Sequence, residues 1–179
     1  MTGLYRIYWD SCAWLALIKQ EEGRYEALKK VYDSAKRGHV EIWTSTFTYA
    51  EVYKKQCGEG EKIGIHKGFS EEETDGLDDI LSQDFIKRIE VSQIIGVQAR
   101  KLLMSTQGFS KPPDGIHLAS ALYWNLDVMH TFDNEDLLKL DEKLNCRDGK
   151  KFRILVPSDD IDGPLFQKRD DEKKLKKSA

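Results

Sequence analysis

The stretch LYRIYWDSCAWLALIKQEEG, residues 4–23, changes its pattern at Asp10. Aromatic and β-branched residues before Asp10 predict a short strand, whereas the apolar residues after it have helical spacing until Gly23. An aspartate is unfavourable inside a strand and costly to bury without partners. Asp10 therefore marks a junction between a strand and a helix, where its carboxylate either caps the helix or belongs to a site.

Strand and helix patterns continue to alternate after this junction. Further strands are predicted over residues 39–45, 85–92, 127–133 and 151–157, and helices over 24–38, 46–58, 93–108 and from about Pro113. The polar segment 59–76 is interpreted as a loop, in which Ser70 and Glu73 form a possible capping box for a helix through about Gln83. Because alternating strands and helices build parallel sheets covered on both faces, we predict a three-layer α/β/α fold with a central parallel five-stranded sheet.

The length and composition are those of one domain with a single sizeable core. The chain has 179 residues, of which 40% are hydrophobic and 33% are charged. We assign residues 1–160 to this domain and residues 161–179 to a charged, disordered tail, because the tail has no apolar periodicity. Trp14, Trp43 and Trp124 lie on apolar faces and are expected in the core.

Charge and cysteine content limit the possible partners and compartments. The net charge of −3 gives the molecule no overall basic surface, so a nucleic-acid partner would need a local basic patch or a metal ion. The three cysteines show no metal-ligand spacing and suit a reducing, cytoplasmic setting. The N-terminus has no signal-peptide pattern, and no segment has the roughly 18 apolar residues of a membrane span.

Four acidic residues are predicted to meet at the carboxyl edge of the sheet, where α/β proteins place their sites. Asp10 and Asp133 end the first and fourth strands, Asp114 opens the helix before the fourth strand, and Glu51 lies in the helix after the second. Each has a structural alternative: a cap, a solvated helix face, a helix-dipole contact or a turn. Capping does not require that all four lie at one edge, so together they indicate a site.

A cluster of carboxylates needs a cation, because like charges at close range repel. An all-oxygen ligand set suits Mg²⁺ or Mn²⁺ rather than zinc. Such a cation can bind a phosphate oxygen and lower the pKa of a water molecule. The chemistry that the acidic residues imply is therefore phosphodiester hydrolysis.

Three segments resemble the motifs of PIN-domain proteins, the family that includes the VapC-type toxins: YWDSCAWLALI, TSTFTYAEVYK and PPDGIHLASALYWNLDVMHTFDNEDL. The resemblance implies a Mg²⁺-dependent endoribonuclease with Asp10, Glu51, Asp114 and Asp133 as its catalytic acids. It also implies Asp136 as a further metal ligand beside Asp10, Asp114 and Asp133, although Asp136 could equally serve the first turn of a helix. If the protein is a toxin, the resemblance further implies a small antitoxin partner and a homodimer.

Several neighbouring residues keep two interpretations. Ser11 and Thr131 match hydroxyl positions that support the site in the family, or they serve capping and strand packing; Asn134 could orient water or phosphate, or form a turn. His117 could contact substrate, but a half-buried helix histidine is the favoured reading, and His130 is expected in the core. Basic residues near the proposed site are Lys54, Lys55, Lys62, Lys67 and Lys111.

The sequence leaves two alternatives to the ribonuclease function. A phosphatase acting on small phosphoesters usually has Asp-x-Asp after the first strand, and the sequence DSC at residues 10–12 counts against it. A catalytically silent PIN-like module that binds RNA or a protein is the second rival. Loss of RNA cleavage on metal removal distinguishes the enzyme from the silent module.

Overall fold

The computed structural model describes residues 4–52 and 71–158 of the chain. Within these residues one sheet has five strands: β1 (Tyr5–Trp9), β2 (Val40–Ser45), β3 (Ile86–Ile89), β4 (Val128–His130) and β5 (Arg153–Leu155). Every pair of neighbouring strands is parallel, and the order across the sheet is β3-β2-β1-β4-β5. The predicted central parallel sheet is confirmed.

Helices cover both faces of the sheet. They are α1 (Ser11–Ile18), α2 (Tyr25–Lys36), α3 (Thr48–Glu51), α4 (Glu71–Leu81), α5 (Gln93–Ser105) and α6 (Pro112–Tyr123), followed by a 3₁₀ turn at Leu138–Leu140. The helix predicted over 46–58 ends at Glu51, where Val52 leaves the helical conformation, and residues 71–76 of the predicted loop belong to α4. Residues 53–70, with the rest of that loop and the Ser70 cap, and the tail at 161–179 lie outside the described residues. None of the helices that the structure describes is long and apolar enough to cross a bilayer.

The side chains of β1 divide between two cores. Ile7 and Trp9 lie in the core formed with α1, α2 and α4, whereas Tyr8 lies in the core formed with α5 and α6. All three side chains are fully buried. This alternation is the two-residue period of a strand that is covered on both faces, and it explains why β1 has almost no polar residue before Asp10.

The three tryptophans that were expected in the core have different environments. Trp14 is fully buried, packs edge-to-face on Trp9 with ring centroids 4.8 Å apart, and donates a hydrogen bond to the Thr44 hydroxyl over 3.1 Å. Trp43 is half-buried. The prediction that Trp124 is a core residue is wrong, because it is 45% exposed. It lies at the C-cap of α6, where the helical period no longer directs a side chain inward, and its ring lies 5.8 Å from that of Trp43.

His130 on β4 confirms the expectation of a core histidine and leads to a pH prediction. It is 8% exposed, accepts a hydrogen bond from the Trp9 indole over 3.4 Å, and has its pKa lowered by burial to about 4. Since the unfolded chain binds this proton near pH 6.5, stability is lost as the pH falls from 6.5 towards 4. We expect His130 to lower the free energy of unfolding by about 2 kcal/mol between pH 7 and pH 5.

Urea unfolding of the wild type and of His130→Asn at both pH values tests this contribution. The asparagine side chain can still accept from Trp9 but does not titrate, so its stability should fall less at pH 5. Identical pH dependence in the two proteins would contradict the assignment.

Candidate active site

Asp10 lies at the carboxyl end of β1 and caps α1. Its Oδ1 accepts the backbone N–H of Ala13 over 2.9 Å, and its Oδ2 accepts the hydroxyl of Thr131 over 2.5 Å. The residue is 2% exposed, and burial raises the pKa of its carboxyl, while the bond from Thr131 opposes that rise. Asp10 therefore has the capping role, and Ser11 is the first helical residue instead of the cap.

Thr131 joins two strand ends. Its hydroxyl donates to Asp10 and accepts the backbone N–H of Asp133 over 3.1 Å, and its side chain is fully buried. The strands β1 and β4 are neighbours in the sheet, although six of the described helices and two of the described strands lie between them along the chain. The connections diverge between these two strands, which is where α/β sheets form a crevice.

Asp114, Asp133 and Asp136 form a compact acidic group. One carboxylate oxygen from each lies within 4.8 Å of the other two. Asp133 also accepts the backbone N–H groups of Glu135 and Asp136 over 2.9 and 3.0 Å, so the turn role foreseen for it is present as well. We call Asp114, Asp133 and Asp136 the acidic triad.

Asp114 carries the clearest sign of an incomplete site. It lies in the first turn of α6, and its buried Oδ2 has no hydrogen-bond partner among the residues that the structure describes. Burial, and then the charge of Asp133, raise the pKa of Asp114 to about 6. A buried carboxylate oxygen without a donor is costly unless a cation or another ligand binds it.

Lys111 places an ammonium beside the acidic triad. Its Nζ lies 2.6 Å from Asp136 Oδ2 and 3.7 Å from Asp133 Oδ2, and its side chain is 52% exposed. The hydrogen bond to Asp136 raises the pKa of Lys111. Of the five lysines expected near the site, Lys111 is the one within the described ranges.

Glu51 reaches the site from the end of α3. Its Oε2 is hydrogen-bonded to Nε2 of His117, and Nδ1 of His117 lies 2.6 Å from the Tyr8 hydroxyl. The reading of His117 as a half-buried helix histidine is wrong, because it is 1% exposed. It lies one turn after Asp114 on the face of α6 that packs on the sheet, and the sequence spacing gave no sign of its two partners.

The charges of all four predicted acids act on the Cys12 thiol. Burial, followed by the charges of Asp10, Asp114, Asp133 and Glu51, raises the pKa of this thiol to about 12. The structure thus brings all four to one edge, but only Asp114 and Asp133 of them belong to the acidic triad. Both carboxylate oxygens of Asp10 already accept hydrogen bonds. Asn134 is exposed in the turn after Asp133.

The acidic triad fits a hard divalent cation. It offers oxygen atoms alone, which Mg²⁺ and Mn²⁺ prefer, and Asp114 Oδ2, which has no partner among the described residues, is available within it as a ligand atom. The repulsion that raises the pKa of Asp114 is what a bound cation would offset. A thiolate or imidazole ligand is absent from this triad, which disfavours zinc.

Comparisons with known proteins identify a family and several solved structures that share this fold. A family model described as PIN domain matches residues 7–143. VapC20 of Mycobacterium tuberculosis, described as a toxin that cleaves the sarcin–ricin loop, is similar in structure, with a TM-score of 0.55 and 16% identity over 72% of this chain and 91% of that chain. Among curated protein sequences, none matches the chain.

Two further solved structures resemble the chain. One is VapBC2 of Rickettsia felis bound to a DNA fragment from its promoter, with a TM-score of 0.55 and 15% identity over 86% of this chain and 99% of that chain. The other is a toxin–antitoxin complex from Klebsiella pneumoniae, with a TM-score of 0.53 and 20% identity over 85% and 98% of the two chains. At these identities the likeness establishes a common fold.

Proposed function

We propose that this chain, which belongs to the PIN-domain family, is a metal-dependent endoribonuclease that hydrolyses phosphodiester bonds in RNA. The observation that carries the proposal is the acidic triad at the crevice between β1 and β4, in which one buried Asp114 oxygen has no partner within residues 4–52 and 71–158. Acidic side chains that repel one another lower the free energy of unfolding. A cation bound between them would offset this repulsion and would bind the phosphate of an anionic substrate.

Each acidic residue has a role that follows from its contacts. Asp114, Asp133 and Asp136 would hold Mg²⁺ or Mn²⁺, and Asp10 lies beside them as the fourth ligand candidate. A bound ion would supply positive charge for the phosphate oxygens and would lower the pKa of a water molecule. Glu51 has one oxygen bonded to His117, which leaves the other to accept a hydrogen bond from the attacking water and orient it.

Substrate binding requires local cations, since the chain has a net charge of −3. Lys111 is half exposed beside the acidic triad, where its ammonium can contact an RNA phosphate. RNA is favoured as the substrate because VapC20, which shares the fold, is described as cleaving the sarcin–ricin loop.

The proposal extends to partners. Two of the similar structures are VapBC2 and a toxin–antitoxin complex, which supports a small antitoxin that binds this chain and blocks its site. The proposal also includes a homodimer of this chain that acts in the cytoplasm. Co-expression with a candidate antitoxin, followed by a cleavage assay on the purified complex, would test the inhibition.

Metal removal tests the enzymatic function. We expect RNA cleavage to fall at least about 100-fold in EDTA, because the acids alone provide no positive charge for the phosphate. Excess Mg²⁺ or Mn²⁺ should restore it, and Asp10→Asn should remain inactive with either ion. The measurement is cleavage of a broad panel of structured and single-stranded RNAs.

Intact RNA across the whole panel at millimolar Mg²⁺ or Mn²⁺ would refute the ribonuclease. RNA binding without cleavage would instead favour a silent binding module. Cleavage that EDTA leaves unchanged would point to contamination or to a metal-independent nuclease, and it would equally contradict the proposal.

A further inference from the structure

A chain of three hydrogen-bonded side chains connects the buried core to the acidic edge. Tyr8 on β1 contacts Nδ1 of His117 on α6 over 2.6 Å, and Nε2 of His117 bonds to Oε2 of Glu51 at the end of α3. Tyr8 and His117 are essentially inaccessible to solvent, whereas the Glu51 side chain is 19% exposed. The sequence motifs assign no function to this connection.

We propose that His117 is a positioning residue, whose orientation and proton are fixed by Tyr8 so that its Nε2–H holds the Glu51 carboxylate at the acidic edge. This inference rests on the proposed ribonuclease function, in which Glu51 orients the attacking water. It adds Tyr8 and His117 to the residues that determine the rate, although neither touches the substrate.

The proton arrangement follows from the partners of the imidazole. An ionised carboxylate only accepts hydrogen bonds, so the Nε2 that faces Glu51 carries the proton. The Nδ1 of a neutral ring then accepts, and the Tyr8 hydroxyl is its donor. Burial, and then the charges of Asp10 and Glu51, raise the pKa of Tyr8 well above its usual value, which keeps this hydroxyl protonated.

Glu51 needs such a support because its own helix is short. Helix α3 spans only Thr48–Glu51, a single turn, and one turn has little intrinsic stability. A carboxylate at the end of this turn has many accessible rotamers, whereas His117 is held within a twelve-residue helix packed on the sheet. The bond to His117 therefore reduces the orientations available to Glu51.

The first test compares turnover in variants of the full chain. We expect Tyr8→Phe to lower kcat about 10-fold with little change in KM, and His117→Leu to lower it about 100-fold, close to Glu51→Ala. His117→Gln keeps an N–H donor near the position of Nε2, so it should retain kcat within about threefold. Adding Tyr8→Phe to His117→Gln should then cost nothing more.

A matched control is Tyr5→Phe, which removes a hydroxyl at the opposite end of the same strand. It should leave kcat unchanged. Circular dichroism and thermal unfolding identify any variant that fails to fold. If His117→Leu does not fold, Tyr8→Phe and the double variant with His117→Gln still decide the question.

The second test locates the proton on the His117 ring in the absence of metal and substrate. In ¹⁵N NMR spectra of the metal-free wild type, we expect the His117 proton on Nε2, and in Tyr8→Phe we expect part of it on Nδ1. A wild-type ring protonated only at Nδ1 would overturn the inference.

The outcomes separate the inference from the function on which it rests. If Glu51→Ala abolishes cleavage but Tyr8→Phe and His117→Leu fold and keep the wild-type kcat, the positioning role is wrong and the ribonuclease stands. If the wild type cleaves no RNA with any metal, the proposed function fails and takes the positioning role with it.

Discussion

Replacing Asp114 with asparagine is expected to reduce RNA cleavage at least about 100-fold without destabilising the fold. Asparagine keeps the shape of the side chain but removes the charge that would bind the cation. It also removes the repulsion from Asp133 and the cost of burying a carboxylate, which together raise the pKa of Asp114 to about 6. We therefore expect a free energy of unfolding in EDTA equal to that of the wild type or up to about 1 kcal/mol higher.

This opposite movement of activity and stability is what distinguishes a functional carboxylate from a structural one. The matched control is Asp79→Asn, which removes the same charge from an exposed position on α4. It should change neither the cleavage rate nor the urea midpoint. An Asp114→Asn variant that cleaves RNA at the wild-type rate would remove Asp114 from the site.

Replacing Thr131 with valine is expected to destabilise the protein by about 2–4 kcal/mol and to lower RNA cleavage at least about 10-fold. Valine has nearly the same shape, but it cannot donate to the buried Asp10 carboxylate or accept from the partly buried Asp133 N–H, so each of these groups loses a partner. The two acids would then lose the hydroxyl that connects the ends of β1 and β4.

Thr131→Ser separates the hydroxyl from the methyl group. It keeps both hydrogen bonds and loses only one buried methyl group, so we expect a cost of about 1 kcal/mol and cleavage close to the wild-type rate. Urea unfolding and the cleavage assay measure both variants. Equal stabilities for the valine and serine variants would show that the hydroxyl contributes nothing to the fold.

Local sequence patterns predicted the parts of this structure that depend on local interactions. The alternation of strands and helices gave the parallel sheet, and Asp10 and Asp133 were placed at strand ends because polar residues there interrupt apolar runs. The two prolines before Asp114 marked the start of α6, since proline suits the first helical turn. These signals act within a few residues along the chain, so one sequence was sufficient to read them.

Contacts between distant segments were not predicted. His117 and Glu51 are separated by 66 positions, and no local pattern indicates that their side chains meet. The same applies to the contact of Lys111 with Asp136, which depends on how α6 and the turn after β4 come together. The prediction of Trp124 as a core residue was wrong for a related reason, since the exposure of its side chain depends on where the helix ends rather than on composition.

Lys111 affects how the acidic triad would bind a metal ion. The ammonium of Lys111, 2.6 Å from Asp136 Oδ2, already supplies one positive charge to the acidic triad. In the proposed enzyme, a divalent ion would replace Lys111 as the counter-ion of Asp136, so its affinity would be the difference between the two attractions. In the proposed ribonuclease, Lys111 would keep the acidic triad partly neutralised before a metal ion binds, so the ion would control activity more than folding.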